Sequence, residues 1–408
     1  VTEGDIASGD TTTFAADGIT NGTGVIELVS GTSVSASATT LNSNYTLGVA
    51  VDAGGYSGIS FGTNGRLSFT SAATVNGNIT GTGTGNFVTT APLTVNGNVN
   101  LSGSSYIRAG TTNYNPNLIV SGDINLTGTS TLTPAVSTAG TSYRLYASAA
   151  NINVCATCSI TATALGTPAG GTNIMYVNNT AYSVNKTGTA NLGAAGASYG
   201  GHGGRNSALT YDTTEVFGNF KWPLDLAGGS GTAGGNMGTI SGGAIRLAIS
   251  GTLTVDGTIE SKGGLQNNGA AHQATGAGGS ILIETGTLTG AGAINANGGD
   301  QNWASNIYGA GGGGRVAVYY TSKTGNFATS ANVIANVTAY GGAGFLADTN
   351  GSAGTVYMKS AAQTFGDLIV DNNNKSVNAT QSTAIKTAAG STSSAFSNAN
   401  KTLTKASQ

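Results

Sequence analysis

Charge is scarce in this chain. Of its 408 residues, 15 are Lys or Arg and 17 are Asp or Glu, a formal net charge of −2. Charged residues make up 8%, against about 25% in an ordinary globular domain. Nucleic-acid binding draws on a dense band of cations that displaces counterions, so no nucleic-acid partner is expected. A polybasic membrane anchor is unexpected for the same reason. No run approaches the roughly eighteen consecutive apolar residues of a spanning helix, so no membrane-spanning segment is expected. Proline numbers only 5, and no long stretch of Leu, Glu, Lys and Ala repeats at 3.6-residue spacing, so helices should be few. Cys155 and Cys158 are the only cysteines, and His202 and His272 the only histidines. A structural zinc site would need two more good ligands near the cysteines, and both histidines are remote in sequence. We therefore expect no metal site and no cofactor, and read Cys155 and Cys158 as a small local disulfide on an exported protein.

What the chain has instead is small polar residues. Gly (67), Thr (60), Asn (40) and Ser (39) together make up half of it. Such a composition can signal disorder, but disorder also needs self-repulsion from high net charge. With a net charge of −2 and a mean hydropathy of +0.02, that repulsion is missing. The apolar residues are also patterned, as in a folded chain.

The pattern is repetitive. One unit opens at Gly242-Gly243-Ala244-Ile245-Arg246-Leu247, continues through Gly251-Thr252-Leu253-Thr254-Val255 and Gly257-Thr258-Ile259, and closes at Gly263-Gly264. A second opens 36 residues later at Gly278-Gly279-Ser280-Ile281-Leu282-Ile283 and closes at Gly298-Gly299. A third opening is Gly313-Gly314-Arg315-Val316-Ala317-Val318, and a degenerate fourth is Gly354-Thr355-Val356-Tyr357-Met358. Apolar residues alternate within each copy, the period of a strand with one buried face. The alternation predicts two stacked inward columns, Ile245, Ile281, Val316, Val356 and Leu247, Ile283, Val318, Met358. Arg246, Leu282, Ala317 and Tyr357 should face outward. A single copy cannot bury its own face, whereas stacked copies build a continuous thin core. The Gly pairs suit corners between short strands, where positive φ or close backbone approach is needed.

A shorter repeat occupies the first half. Thr74-Val75-Asn76-Gly77-Asn78-Ile79 recurs 20 residues on as Thr94-Val95-Asn96-Gly97-Asn98-Val99, and more loosely as Ile119-Val120-Ser121-Gly122-Asp123-Ile124. An isolated Asn-Gly suggests a hairpin, but its recurrence makes a corner between successive parallel strands at least as good a reading. The expected architecture is all-β: a parallel β-solenoid, or β-helix, with Gly-rich corners and loops. It divides into a Thr/Asn/Ser-rich solenoid region (1–195), a Gly-rich repeat region (196–360) and a C-terminal strand with a Ser/Thr/Ala/Asn tail (361–408). The strand is Asp367-Leu368-Ile369-Val370, and the tail reads as mobile or as a strand added to a neighbour.

The block Ser198-Tyr199-Gly200-Gly201-His202-Gly203-Gly204, the runs Gly228-Gly229-Ser230-Gly231 and Gly311-Gly312-Gly313-Gly314, and the two repeat units together resemble the glycine-rich repeats of large bacterial surface proteins. The resemblance covers roughly 196–360, and the first half is similar, more generically, to the β-solenoid stalks of secreted adhesins. It implies an exported location, parallel β architecture and a surface or matrix role, and brings no catalytic residues. The start at Val1 without an initiator Met fits a processed or excised piece, which also agrees with secretion.

Three functions follow as expectations. The first is an exported structural protein at the cell surface or secreted, a self-assembling subunit of a fibre, sheath or matrix. Sparse charge, Thr/Asn-rich strands and uncapped terminal edges would favour head-to-tail association with itself. The second is an adhesin that grips surface glycans through a loop face carrying Tyr199, His202, Trp222, His272, Trp303 and Tyr308; these aromatics serve equally as packing at loop ends. The third is a polysaccharide-degrading β-helix, which would need Asp256, Glu260 and Glu284 to gather in one cleft. No nucleophile elbow and no phosphate-binding loop ending in Lys-Ser/Thr is present, so no catalytic residues are assigned and no enzyme is expected.

Overall fold

The structure is a computed structural model that describes residues 72–137, 141, 143–167, 195–205, 216–228, 230, 239–265, 274–301, 308–377 and 381. It also describes the strand segments 11–13, 26–28, 33–35, 39–41, 44–47, 59–61, 66–69, 174–177, 180–183, 383–385, 394–396 and 401–403. The protein is all-β and mostly parallel, and its one described α-helix is the short Ser330–Asn336. None of the described helices is long and apolar enough to cross a membrane.

Two large sheets, of ten and seventeen strands, wrap nearly closed around one apolar core. The larger sheet holds two columns of parallel strands. One contains Ala73–Val75, Leu93–Val95, Leu118–Val120, Leu145–Ala149, Ala244–Ile249, Ser280–Thr289, Arg315–Lys323 and Thr355–Ser360. The second runs from Thr39–Leu41 through Ile79–Gly81, Val99–Leu101, Ile124–Leu126 and Ile152–Val154 to Thr252–Val255. Ser280–Thr289 is long enough to pair with both Ala244–Ile249 and Thr252–Val255, which joins the two columns. The ten-stranded sheet is the third column, from Ile26–Leu28 to Val337–Thr338.

Register follows the apolar alternation, because a slip of one residue would turn each strand's buried face to solvent. Ile245, Ile281, Val316 and Val356 are paired in series, as are Leu247, Ile283, Val318 and Met358, and all eight are buried. The Asn-Gly segments are corners: Thr74 pairs with Thr94 and Ile79 with Val99, copy against copy. Gly97 is required there, since a Cβ on it would meet Gly77 C at 2.6 Å. Pairing is continuous between the two halves of the chain, with Ala147 opposite Leu247 and Ile160 opposite Ile259.

The Gly-rich runs do more than turn corners. Consecutive N–H groups of Gly311, Gly312, Gly313 and Gly314 donate to Gly299 O (3.1 Å), Ala197 O (2.8 Å), Ser352 O (2.9 Å) and Ala296 O (2.7 Å). The first and fourth donors reach the same neighbouring segment, 296–299, and the two between reach different ones. That is a threefold repeat, the periodicity of a polyproline II-type thread. Gly276 and Gly279 likewise return to one neighbour, through Gly264 O and Ser261 O, while Gly278 donates to Gly312 O. The threads are built from segments around 196–204, 239–243, 261–264, 274–279, 296–301, 308–314, 339–343 and 351–354. Each lies against backbone where a Cβ would collide, as in the crowded axis of collagen. Several continue directly from a strand of the third column or into one of the first, so the bundle extends the same layers sideways.

Segment 216–228 crosses the outer face of the first column. Leu282, Ala317 and Tyr357 face away from the main core as the alternation predicts, yet all three are buried, because Phe220 packs on them. At the far end, Asp367–Val370 pairs antiparallel with Thr355–Ser360, and Lys401–Leu403 pairs antiparallel with it in turn. The expected strand at 367–370 therefore forms and covers an edge that the sequence had suggested would be bare.

Candidate functional site

Polar and aromatic groups concentrate where segment 216–228 meets the first column. Strand alternation turns Tyr146 and its register partner Arg246 outward, and Glu284 and Tyr319 form the next outward pair. Arg246 Nε and Nη2 donate to Glu284 Oε2 at 3.1 and 2.8 Å. The same guanidinium lies 4.3 Å from the Tyr146 ring centre and 5.1 Å from that of Trp222, so stacking and ion pairing fix one cation from three sides. Aromatic contacts continue from Trp222 to Tyr319 (5.6 Å), Tyr319 to Tyr357 (5.9 Å) and Tyr357 to Phe220 (5.5 Å).

Beside this row lies a shallow cleft of about 10 Å3, the room of roughly one water, lined among others by Asn113, Tyr114, Arg144, Tyr146, Leu224 and Arg246. Arg144 is buried and donates to Leu224 O (3.2 Å) and Thr112 O (3.1 Å), with its guanidinium 4.9 Å from the Tyr114 ring centre. Asn113 Oδ1 accepts from Thr111 Oγ1 (2.8 Å) and Asn115 N (2.9 Å), which turns its amide N–H groups away from those partners. Burial raises the Tyr114 phenol and lowers the Arg144 guanidinium. Burial, with Tyr357 and Glu284 nearby, pushes Tyr319 up to about 12. Both phenols are neutral at physiological pH, and the Tyr319 hydroxyl donates to Lys221 O (2.6 Å).

Below the covering segment, Arg315 is the largest fully buried side chain, at 0% exposure. Its Nε and Nη2 donate to Phe217 O (3.0 and 2.8 Å) and its Nη1 to Thr355 Oγ1 (3.0 Å). The Tyr199 hydroxyl lies 2.5 Å from Ser280 Oγ, which donates to Asp225 O at 2.6 Å. Burial draws Arg315 down to about 10 and raises Tyr199 far above the ordinary phenol. This cluster binds the covering segment to the sheet and is closed to solvent.

The predicted loop-face residues are dispersed. Tyr199 and Tyr308 are buried, His202 is half-buried with its carbonyl accepting from Ser352 N (2.7 Å), and Trp222 is 36% exposed. His272 and Trp303 lie outside the described residues. Cys155 and Cys158 are disulfide-bonded. The three carboxylates have separate partners: Asp256 Oδ1 accepts from Ala291 N (3.0 Å), Glu260 pairs with Lys262 (2.6 Å), and Glu284 pairs with Arg246. Glu260 sits in the ten-stranded sheet and Glu284 in the other. Sequence reasoning missed Tyr114, Arg144 and Tyr146. Arg246 was legible as outward-facing, but its neighbour Tyr146 is 100 residues away and visible only through register. No protein-family model, curated protein or solved structure matches this chain.

Proposed function

We propose that the parallel sheets form a β-solenoid and that the chain is an exported structural protein, a building block of an extracellular fibre, sheath or surface matrix that associates with copies of itself. The observation that supports this most is one inward series: Ala73, Leu93, Leu118, Ala147, Leu247, Ile283, Val318 and Met358 are paired one to the next, in the order of the sequence. A column that advances in one direction is a scaffold with contacts mainly between neighbours. Side-chain ladders reinforce it, with Asn125 donating to Asn100 (2.9 Å) and Asn153 to Asn125 (2.7 Å). Because Asp367–Val370 covers the C-terminal edge of one column, edge association between copies uses the opposite end. Two like ends closing on each other give a two-fold pair, and an unblocked edge at both ends gives a fibre.

Ile369→Pro tests this, since proline removes a ladder donor from the covering strand. Light scattering and negative-stain microscopy should show concentration-dependent self-association for the natural chain, and assemblies that lengthen further for the variant. A variant that stays discrete at every concentration would refute edge-driven association.

A further inference from the structure

We propose that the Cys155–Cys158 disulfide is a redox clasp at the junction of the two repeat regions, and that its closure by a disulfide oxidant fixes the corner on which the Gly-rich half is laid. The proposal is independent of the self-association reading. It starts from four equivalent corners between the second and third columns, at 82–85, 102–105, 127–130 and 155–158. In each, the fourth N–H donates to the first carbonyl: Gly85 to Thr82 O (3.1 Å), Ser105 to Ser102 O (3.3 Å), Ser130 to Thr127 O (3.3 Å) and Cys158 to Cys155 O (2.8 Å). The first three corners carry glycine second, at positive φ: Gly83 (58°), Gly103 (64°) and Gly128 (71°). They stack through Ser104 N to Gly83 O (2.7 Å) and Thr129 N to Gly103 O (2.6 Å). Ala156 takes the second place in the fourth corner without a positive φ, as a residue with a Cβ prefers. Among the described residues no N–H of that corner reaches Gly128 O. The Thr157 hydroxyl donates to it instead, and Cys155 Sγ and Cys158 Sγ lie 3.3 and 3.6 Å from it. The disulfide joins the first and fourth places, which in the two preceding corners belong to Ser102 and Ser105, and to Thr127 and Ser130. It therefore clamps the one corner of the four that lacks the glycine turn.

The clamped corner sits where the columns are least continuous in sequence. Register partners Ile79, Val99, Ile124 and Ile152 follow one another at separations of 20, 25 and 28 residues, and Ile152 then pairs with Leu253, 101 residues on. In the third column Ile160 pairs with Ile259, 99 residues on. Closing a loop of that length costs more entropy than closing the shorter ones before it, so a preformed docking edge matters most here. The corner also changes size, from four residues between Val154 and Ser159 to two, Asp256 and Gly257, between Val255 and Thr258. Asp256 N and Gly257 N both donate to Val154 O (2.9 and 3.2 Å), and Thr258 N donates to Cys158 O (3.2 Å). A Cβ on Gly257 would collide with Cys155 O and Cys158 O. The backbone of both bonded cysteines is thus the bed of the first Gly-rich rung. Exposure orders the chemistry, since Cys155 is half-buried and Cys158 is 3% exposed. The Cys155 thiolate attacks one sulfur of the oxidant, which forms a mixed disulfide and releases one thiol. The Cys158 thiolate then attacks Cys155 Sγ, closes the protein disulfide and releases the second thiol. Two electrons pass to the oxidant, and the two protein thiol protons end on its thiols. An excess of a dithiol reverses both steps, entering at Cys155.

The test is hydrogen exchange, read by mass spectrometry, on the full-length folded chain before and after dithiothreitol, with Cys155→Ser as the permanently open form. The loop entropy of so short a ring corresponds to about twentyfold faster exchange on opening. That increase is expected at 152–161 and equally at 252–260, with 93–107 and 316–320 unchanged. Oxidised glutathione added to the reduced chain should restore slow exchange, and Cys155→Ser should match the reduced chain with or without dithiothreitol. Iodoacetamide should modify Cys155 of the reduced chain before Cys158. Because the natural chain is compared with itself, the readout stands even where Cys155→Ser fails to fold. A disulfide that dithiothreitol cannot open in the folded chain overturns the proposal. So does exchange at 252–260 that reduction leaves unchanged, exchange that rises evenly along the whole chain, or Cys158 reacting first.

Discussion

Replacing Gly354 with alanine puts a methyl carbon into the Gly-rich bundle against Gly314 O, far inside contact distance, with Gly313 C at 2.7 Å and Gly313 O at 2.8 Å. All three are backbone atoms of a thread that is itself hydrogen-bonded to its neighbours, so no flexible side chain can yield. Overpacking of this kind costs about 1–3 kcal/mol. Displacing the thread also weakens the 2.7 Å bond from Gly354 N to Ala339 O, worth about 1 kcal/mol. Alanine restricts the unfolded chain and returns about 0.4–1 kcal/mol, which leaves a net loss of roughly 1–3.5 kcal/mol by these terms. Gly243→Ala is the control. Its methyl would meet the Ala162 side chain at 3.0 Å and Leu165 backbone only at 3.3 Å, so small shifts accommodate it and its net effect should lie within about 0.5 kcal/mol of zero. Urea unfolding followed by circular dichroism measures both. Equal stabilities for the two variants would refute the close packing of the threads.

Three further outcomes are expected. Arg315→Met leaves Phe217 O and Thr355 Oγ1 without their donor, which should cost roughly 2–4 kcal/mol; hydrogen exchange should rise first across 216–228, and uniform protection would contradict the anchoring role. Asn125→Ala interrupts the ladder on both sides and should cost about 1–2 kcal/mol in urea unfolding, whereas a neutral result would mean that the ladder adds nothing beyond solvation. Raised tyrosine pKa values at Tyr114, Tyr199, Tyr319, Tyr320 and Tyr340 give stability that is complete below the unfolded tyrosine pKa near 10 and is lost as pH rises toward the folded values. Arg315, with its folded value lowered to about 10, and Arg144, whose value burial also lowers, act oppositely over the same window but are two groups against five. Stability should therefore fall between pH 10 and 12, with a shallower slope in Tyr319→Phe, whose folded value is about 12; a flat alkaline profile would count against the tyrosine environment described.

Strand type and inward columns were legible because alternation is a local signal, and the copies around Ile245, Ile281 and Val316 repeat it at nearly constant spacing. The Asn-Gly corners were ambiguous for a local reason too. The same dipeptide serves a hairpin and a corner, and only pairing with the next copy decides between them. The Gly-rich threads were not legible. A thread of glycines has no side-chain pattern, and its threefold order exists only in hydrogen bonds to segments 12 to 115 residues away, such as Gly312 to Ala197. The cleft was hidden for the same reason. Arg144, Tyr114 and Leu224 meet because a covering segment folds back over a sheet, and nothing in the local composition of 216–228 announces that. The edge cover was half visible: 367–370 read as a strand, but its partner was not apparent.

Distances along the outer ladder of the second column test the account most directly. Thr80, Asn100, Asn125, Asn153, Thr254 and Thr289 are successive register partners, and parallel neighbours lie about 4.8 Å apart. Spin labels at Thr80 paired in turn with Asn153, Thr254 and Thr289 should give backbone separations rising by that step, to about 24 Å at Thr289, although Thr80 and Thr289 are 209 positions apart in the sequence. A steady rise is what a linear column requires. Separations that level off or fall at Thr254 and Thr289 would mean that the sheet curls back on itself, and would contradict the solenoid and the structural role proposed from it.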